Sequence, residues 1–146
     1  MKLYLPVVLG FLCAVSAPAR DHKDFNGVWT LVQGRSDFAG QPVVQTGTVT
    51  IEDRQGNISV SRSFAYEGAT ETFFYKDTTD SQRGATIHVG KDVKSKTRWD
   101  HDDLKVTTTD GGTVTTEIYR MTGEHEMTVS VMRTDQKPIT LVFQRQ

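Results

Sequence analysis

Turn signals recur along this chain about every ten residues, and that rhythm limits what it can fold into more than any other feature. They are Gln55-Gly56-Asn57, Glu67-Gly68, Gly90-Lys91, Asp100 to Asp103, Asp110-Gly111-Gly112, Thr122-Gly123-Glu124 and Thr134 to Pro138. Between them apolar and polar residues alternate with period two, the spacing of antiparallel hairpins. Ten strands are predicted: 26–33, 46–53, 57–65, 69–77, 84–89, 92–99, 103–109, 113–121, 125–133 and 138–145. No run repeats at helical spacing for three turns. Composition agrees. Past residue 19 there are 20 Thr and 13 Val against 3 Leu and 4 Ala, and β-branched residues favour strands while Leu and Ala favour helices. A helical bundle and an alternating α/β fold are set aside, and 146 residues make one domain.

The alternation assigns faces. Trp29 and Leu31 share an inward side, as do Val49 and Ile51, and Ile58, Val60 and Phe64. Thr97 and Trp99, Leu104 and Val106, Val114 and Ile118 follow, then Met127, Val129, Val131, and Ile139, Leu141, Phe143. Strand 69–77 carries Phe73-Phe74-Tyr75, with aromatics on both sides, and its inward face is not assigned. Four arginines share the core parity: Arg62, Arg120, Arg133 and Arg145.

An even-numbered meander brings its first and last strands together antiparallel, and closure removes exposed edges. The expectation is an all-β, closed antiparallel up-and-down β-barrel of 8–10 strands. Chain direction then sorts residues by end. The long 34–45 loop and the turns at 66–68, 90–91, 110–112 and 134–137 share the far end. The turns at 54–56, 100–102 and 122–124 share the near end. Trp99, Arg120 and Arg145 fall near the near end, with Trp29 partway up. Arg62, Phe64 and Arg133 fall near the far end.

The start of the chain reads as an address. Met1-Lys2 is basic, Leu3 to Val15 is nearly all apolar, and Ala17-Pro18-Ala19 is a small-residue cleavage site. The apolar run is too short for a membrane span, which takes about 20 residues. Residues 1–19 are therefore expected to be a signal peptide and residues 20–146 the barrel domain, exported to the periplasm or secreted. Cys13 is the only cysteine and lies in the signal, so no disulfide, Cys-metal site or Cys nucleophile is expected. Without Lys2 the cations number 16 against 18 Asp and Glu, which argues against nucleic acid as a partner. His22, His88, His101 and His125 do not cluster, and Asp100-His101-Asp102-Asp103 has the composition of a tight turn. No His-Glu-x-x-His, Gly-x-Ser-x-Gly or calcium-loop pattern occurs. The reading is of a non-enzyme with no metal and no cofactor. Asn57-Ile58-Ser59 is a glycosylation triplet that matters only in a eukaryotic source.

Phe25-Asn26-Gly27-Val28-Trp29 resembles the Gly-x-Trp signature that opens the first strand of lipocalins and related calycin barrels. The run from Gly27 to Phe38 is also similar to small exported bacterial lipocalin-like proteins of unassigned function, and the strand count resembles the ten-stranded fatty-acid-binding barrels. The resemblance implies that a late arginine packs across Trp29 at the closed end, a role that Arg145 fits; by chain direction Arg120 is the other candidate and Trp99 lies near the same end. The resemblance also implies that the 34–45 loop lids the open end.

The function expected is a lidded cavity for a small hydrophobic or amphipathic ligand, anionic at one end. Arg62 and Arg133 would meet the anion, with Phe64 beside them and Phe38 above on the loop, since a charged fork binds a carboxylate, sulfate or phosphate bidentately. Strands 57–65 and 125–133 place no inward carboxylate beside those two cations. The alternative is a protein-interaction or inhibitor module with a solid barrel core. An outer-membrane barrel is the third reading, opposed by short loops at both ends and by Arg62 on the apolar face. No stable membrane insertion is expected.

The exported protein should begin at Arg20, because cleavage after Ala17 would leave Pro18 just past the scissile bond. N-terminal sequencing of exported protein checks this, and an intact Met1 would remove the compartment argument.

Overall fold

The computed structural model describes residues 22–54, 57–78, 84–88 and 91–146, and within them all side chains except those of residues 23 and 71–92. The predicted signal at 1–19, with Cys13 and the start at Arg20, lies outside the described residues. So do the side chains of Phe73, Phe74, Tyr75 and His88 and most of the 78–83 connection.

A 3-10 turn at His22–Phe25 leads into ten strands. They are β1 (Gly27–Leu31), β2 (Thr46–Arg54), β3 (Asn57–Tyr66), β4 (Ala69–Thr78), β5 (Gly84–His88), β6 (Lys91–Asp100), β7 (Asp103–Asp110), β8 (Thr113–Gly123), β9 (Glu126–Arg133) and β10 (Ile139–Arg145). The sheet is antiparallel and up-and-down, each strand pairing with the next. It curls so far that β1 pairs with β10 as well as with β2, and the ladder returns on itself. β1 stops at Leu31, earlier than its alternation suggests, because the chain turns into a second 3-10 turn at Gln33–Arg35. That turn lies over β10: Val32 N donates to Val142 O (2.7 Å), and Ser36 Oγ accepts from Val142 N (3.0 Å). It accounts for the burial of Val142 on the outer side of its strand.

The inner face holds one core of Phe25, Trp29, Val44, Val49, Ile51, Ile58, Val60, Phe64, Leu104, Val106, Tyr119, Met121, Met127, Val129, Val131, Leu141 and Phe143. The outer wall carries Thr48, Thr50, Ser61, Lys94, Lys96, Lys105, Thr128 and Ser130. An apolar face turned inward and a polar wall turned outward suit water, not hydrocarbon. No described helix is long and apolar enough to cross a membrane.

The face predicted for β8 is wrong. Glu117, Tyr119 and Met121 are buried, Val114 is 40% exposed, and Ile118 is only half-buried. Directly opposed residues share a face, and here both neighbours agree. Leu104 and Val106 of β7 oppose Tyr119 and Glu117, and Val129 and Val131 of β9 oppose the same two. Arg120 therefore points out. It pairs with Asp103 at 2.5 Å, and this hydrogen bond and charge raise its already high pKa. It is not the alternative partner of Trp29.

The near end is plugged. Arg145 opposes Trp29 in the β1–β10 ladder, and its guanidinium carbon lies 4.4 Å from the ring centroid. Its two terminal nitrogens donate to the carbonyls of Asn26 and Asp24. Trp29 is fully buried and donates through Nε1 to Phe25 O at 2.9 Å. Phe25 meets Trp99 edge-on at 5.3 Å, and His22 stacks flat on Trp99 at 3.7 Å. Gly27 has a reason to be glycine: its φ is +138°, and a Cβ there would lie 2.9 Å from Arg145 Nη1.

Trp29→Ala should cost about 3–5 kcal/mol through the lost core volume. Arg145→Ala should cost less, and the two losses should not add, because a cation over a ring couples them. Urea unfolding of both single variants and the double variant measures the coupling, and strict additivity would deny the contact any energetic role.

Candidate ligand site at the far end

β3 and β9 both run toward the far end, and their inward alternation ends there. On β3 it passes from Ile58 and Val60 to Arg62, Phe64 and Tyr66. Phe64 is buried, stacks against Phe143 at 6.3 Å, and carries the Arg62 guanidinium 5.3 Å from its centroid. Gly47 lets it fit, since a Cβ at that position would sit 2.9 Å from Phe64 Cδ1.

Arg62 is 5% exposed and forms an ion pair across the interior with Glu117 of β8, itself 1% exposed. The expectation of two cations without a built-in partner therefore fails for Arg62. The partner comes from β8, whose inward face the alternation misread. Tyr119 Oη adds a long hydrogen bond to Glu117 Oε2 at 3.5 Å. A buried guanidinium without a counter-charge is costly, and Glu117 supplies the counter-charge. Glu117 is the residue of this cluster that sequence reasoning missed. The usable signal was the odd-numbered series Glu117, Tyr119, Met121, whose two large apolar members outweigh Val114 and Ile118.

Arg133, by contrast, is half-buried at the end of β9, opposite Thr115, and has no side-chain partner among the described residues. Around the same end Leu31, Phe38, Tyr66 and Ile139 are partly exposed and packed against the core. The structure thus places Phe38 and Phe64 on one apolar cluster, seats Arg62 deeper on Glu117, and leaves Arg133 at the rim. Trp29, Arg145 and Trp99 are at the opposite end.

The 34–45 segment is tied down along its length. Asp37 and Thr140 exchange both backbone hydrogen bonds, at 2.7 and 2.9 Å. Gln41 Nε2 donates to Lys137 O at 2.7 Å, Gln45 N donates to Ala65 O at 2.8 Å, and Val44 is 1% exposed. Arg35 bonds Glu126 on β9 at 2.5 Å, and this bond, with one from Thr122, holds the Glu126 carboxyl below the usual carboxylate range. The acidic turn at 100–103 is occupied by protein partners: Asp100 contacts the His101 ring, and Asp103 takes Arg120.

The curled antiparallel up-and-down sheet is a fold shared with solved β-barrel proteins. The chain is similar in structure to an abundant heat soluble (SAHS) protein from Ramazzottius varieornatus, at 13% identity and TM-score 0.64, over 84% of this chain and 96% of that one. It is similar to human cRBP IV at 17% identity and TM-score 0.60, over 83% and 97%. A Schistosoma mansoni fatty acid binding protein in complex with arachidonic acid matches at 18% identity and TM-score 0.56, over 86% and 98%. No protein-family model and no curated protein sequence matches the chain.

Removing Glu117 should expose what it neutralises. Glu117→Ala should destabilise by about 3–5 kcal/mol, because Arg62 stays buried without its counter-charge. Arg62→Met combined with Glu117→Leu should recover most of that loss. Chemical denaturation of the three variants checks both, and a mild Glu117→Ala phenotype would mean that the pair is solvated.

Proposed function

We propose that this chain is an exported, closed barrel that takes a small amphipathic, anionic ligand at its far end, with the 34–45 segment as lid. The observation that carries the reading is Arg133. It stands on the inward register of β9, half-buried, without a side-chain partner among the described residues, at the end where Leu31, Phe38, Tyr66 and Ile139 are partly exposed. A cation beside apolar surface suits a carboxylate, sulfate or phosphate with an apolar tail. The opposite end is filled by Trp29, Phe25 and Arg145, so entry is from the far end. The fatty acid binding neighbour supports the reading through its bound arachidonic acid, and the signal-like residues 1–19 support export. The proposed role is binding and release without chemistry.

One observation favours the interaction-module reading. Val60, Leu104, Val106, Tyr119, Met127 and Phe143 all have 0% exposure, so the middle of the barrel is filled by its own side chains. Under the ligand reading the molecule sits near the rim or parts those side chains on entry.

Displacement of a fluorescent fatty acid from wild type and Arg133→Ala decides between them. Arg133→Ala should weaken a long-chain acid by about 1.5–3 kcal/mol, the worth of a charged hydrogen bond, and leave the matching alcohol unchanged. A folded wild type that binds no probe would hand the lead to the interaction module.

A further inference from the structure

The inner wall is not uniformly apolar. On β6 the buried inward residues run Val93, Ser95, Thr97, and on β7 Thr108 continues the inward series of Leu104 and Val106. Ser95 is 5% exposed and Thr97 1%. The hydroxyl oxygens of Ser95, Thr97 and Thr108 are buried and have no hydrogen-bond partner among the described residues. Ser95 and Thr108 are direct register partners, so their side chains stand side by side on one face. Thr97 opposes Val106, and Val106 opposes Glu117 on its other side, so the hydroxyls adjoin the row that holds the Arg62–Glu117 pair. The walls made by β2, β3, β9 and β10 present Val49, Ile51, Ile58, Val60, Met127, Val129, Leu141 and Phe143. Among the described residues, and Arg62 apart, the inward hydroxyls lie on β6 and β7 while β2, β3, β9 and β10 present apolar side chains.

An unpartnered buried hydroxyl loses its water without compensation, and native interiors carry few such groups. Three on adjoining positions form a recognition surface for an oxygen that can both accept and donate. A second anion does not suit it, because Arg62 is already neutralised and Glu117 would repel another carboxylate.

We infer that Ser95, Thr97 and Thr108 recognise a neutral hydroxyl or carbonyl oxygen on the buried part of the ligand, so that the preferred amphiphile is an oxygenated one. The inference rests on the ligand-binding reading above and adds the chemistry of the buried segment to it. Arg133 meets the charged end at the rim, and the hydroxyl sector meets an uncharged oxygen along the tail.

The test compares 16-hydroxyhexadecanoic acid with hexadecanoic acid by displacement of a fluorescent fatty acid, in wild type, Ser95→Ala, Thr97→Val and Thr108→Val. Thr→Val keeps side-chain volume, and circular dichroism confirms folding. Wild type should prefer the hydroxy acid by about tenfold, the scale of one or two net hydrogen bonds. Thr97→Val and Ser95→Ala should narrow that preference to about twofold or less while binding hexadecanoic acid as well as wild type does. Binding of both acids by wild type without preference, or a preference that all three variants retain, overturns the inference and leaves the ligand-binding reading standing. Failure of wild type to bind either acid overturns both.

Discussion

Arg145 over Trp29 is the contact on which the return of the sheet depends. It joins the first strand to the last, the one neighbouring pair that no connecting loop brings together. Every other neighbouring pair is consecutive in sequence, so loop closure there is cheap, whereas β1 and β10 meet across the length of the domain. Only three register pairs, Trp29 with Arg145, Thr30 with Gln144 and Leu31 with Phe143, make that seam. So short a ladder needs side chains to hold it. The guanidinium does several things at once: it covers the indole, takes the carbonyls of Asp24 and Asn26, and draws the 3-10 turn at His22–Phe25 across the barrel base. The glycine at position 27 belongs to the same device, since the guanidinium lies where a side chain would stand.

With one end plugged, polarity inside the barrel becomes directional. The Arg62–Glu117 pair spans the interior from β3 to β8 and places two charges where most barrel cores place hydrocarbon. Replacing such a pair by apolar side chains is often neutral or stabilising. Its presence here, next to a run of inward hydroxyls, gives the interior a polar sector. The rim differs again, because Arg133 has no counter-charge among the described residues and stands where water can reach it. Buried neutralised charge, buried hydroxyls and a half-buried cation without a side-chain partner among the described residues are three chemically distinct environments on one side of the barrel.

The strands were legible in the sequence because turn chemistry and period-two alternation are local. The ten predicted segments agree with β1 to β10 to within two residues at every boundary. The partner of Trp29 was legible too, since a Gly-x-Trp start and a late arginine on core parity meet wherever first and last strands pair. Glu117 was not. Its own strand reads plausibly in either parity, with Val114 and Ile118 on one side and Tyr119 and Met121 on the other. Hydrophobicity alone also assigns a carboxylate outward. The site suffered from the same error: Arg62 was recognised as an inward cation, while the residue that neutralises it sat on a face assigned to solvent.

The sequence by itself determined the all-β class, the hairpin order, the inward positions of 13 of the 17 core residues, and which end each residue approaches, because period and direction are properties of the chain read one strand at a time. The tertiary structure decided the inward face of β8, the pairing of Arg62 with Glu117, the isolation of Arg133, and the grouping of Ser95, Thr97 and Thr108 into one sector. Those depend on which residues stand opposite each other across strands and across the barrel. Register is a property of pairs, and a one-residue slip turns every side chain of a strand to the other face.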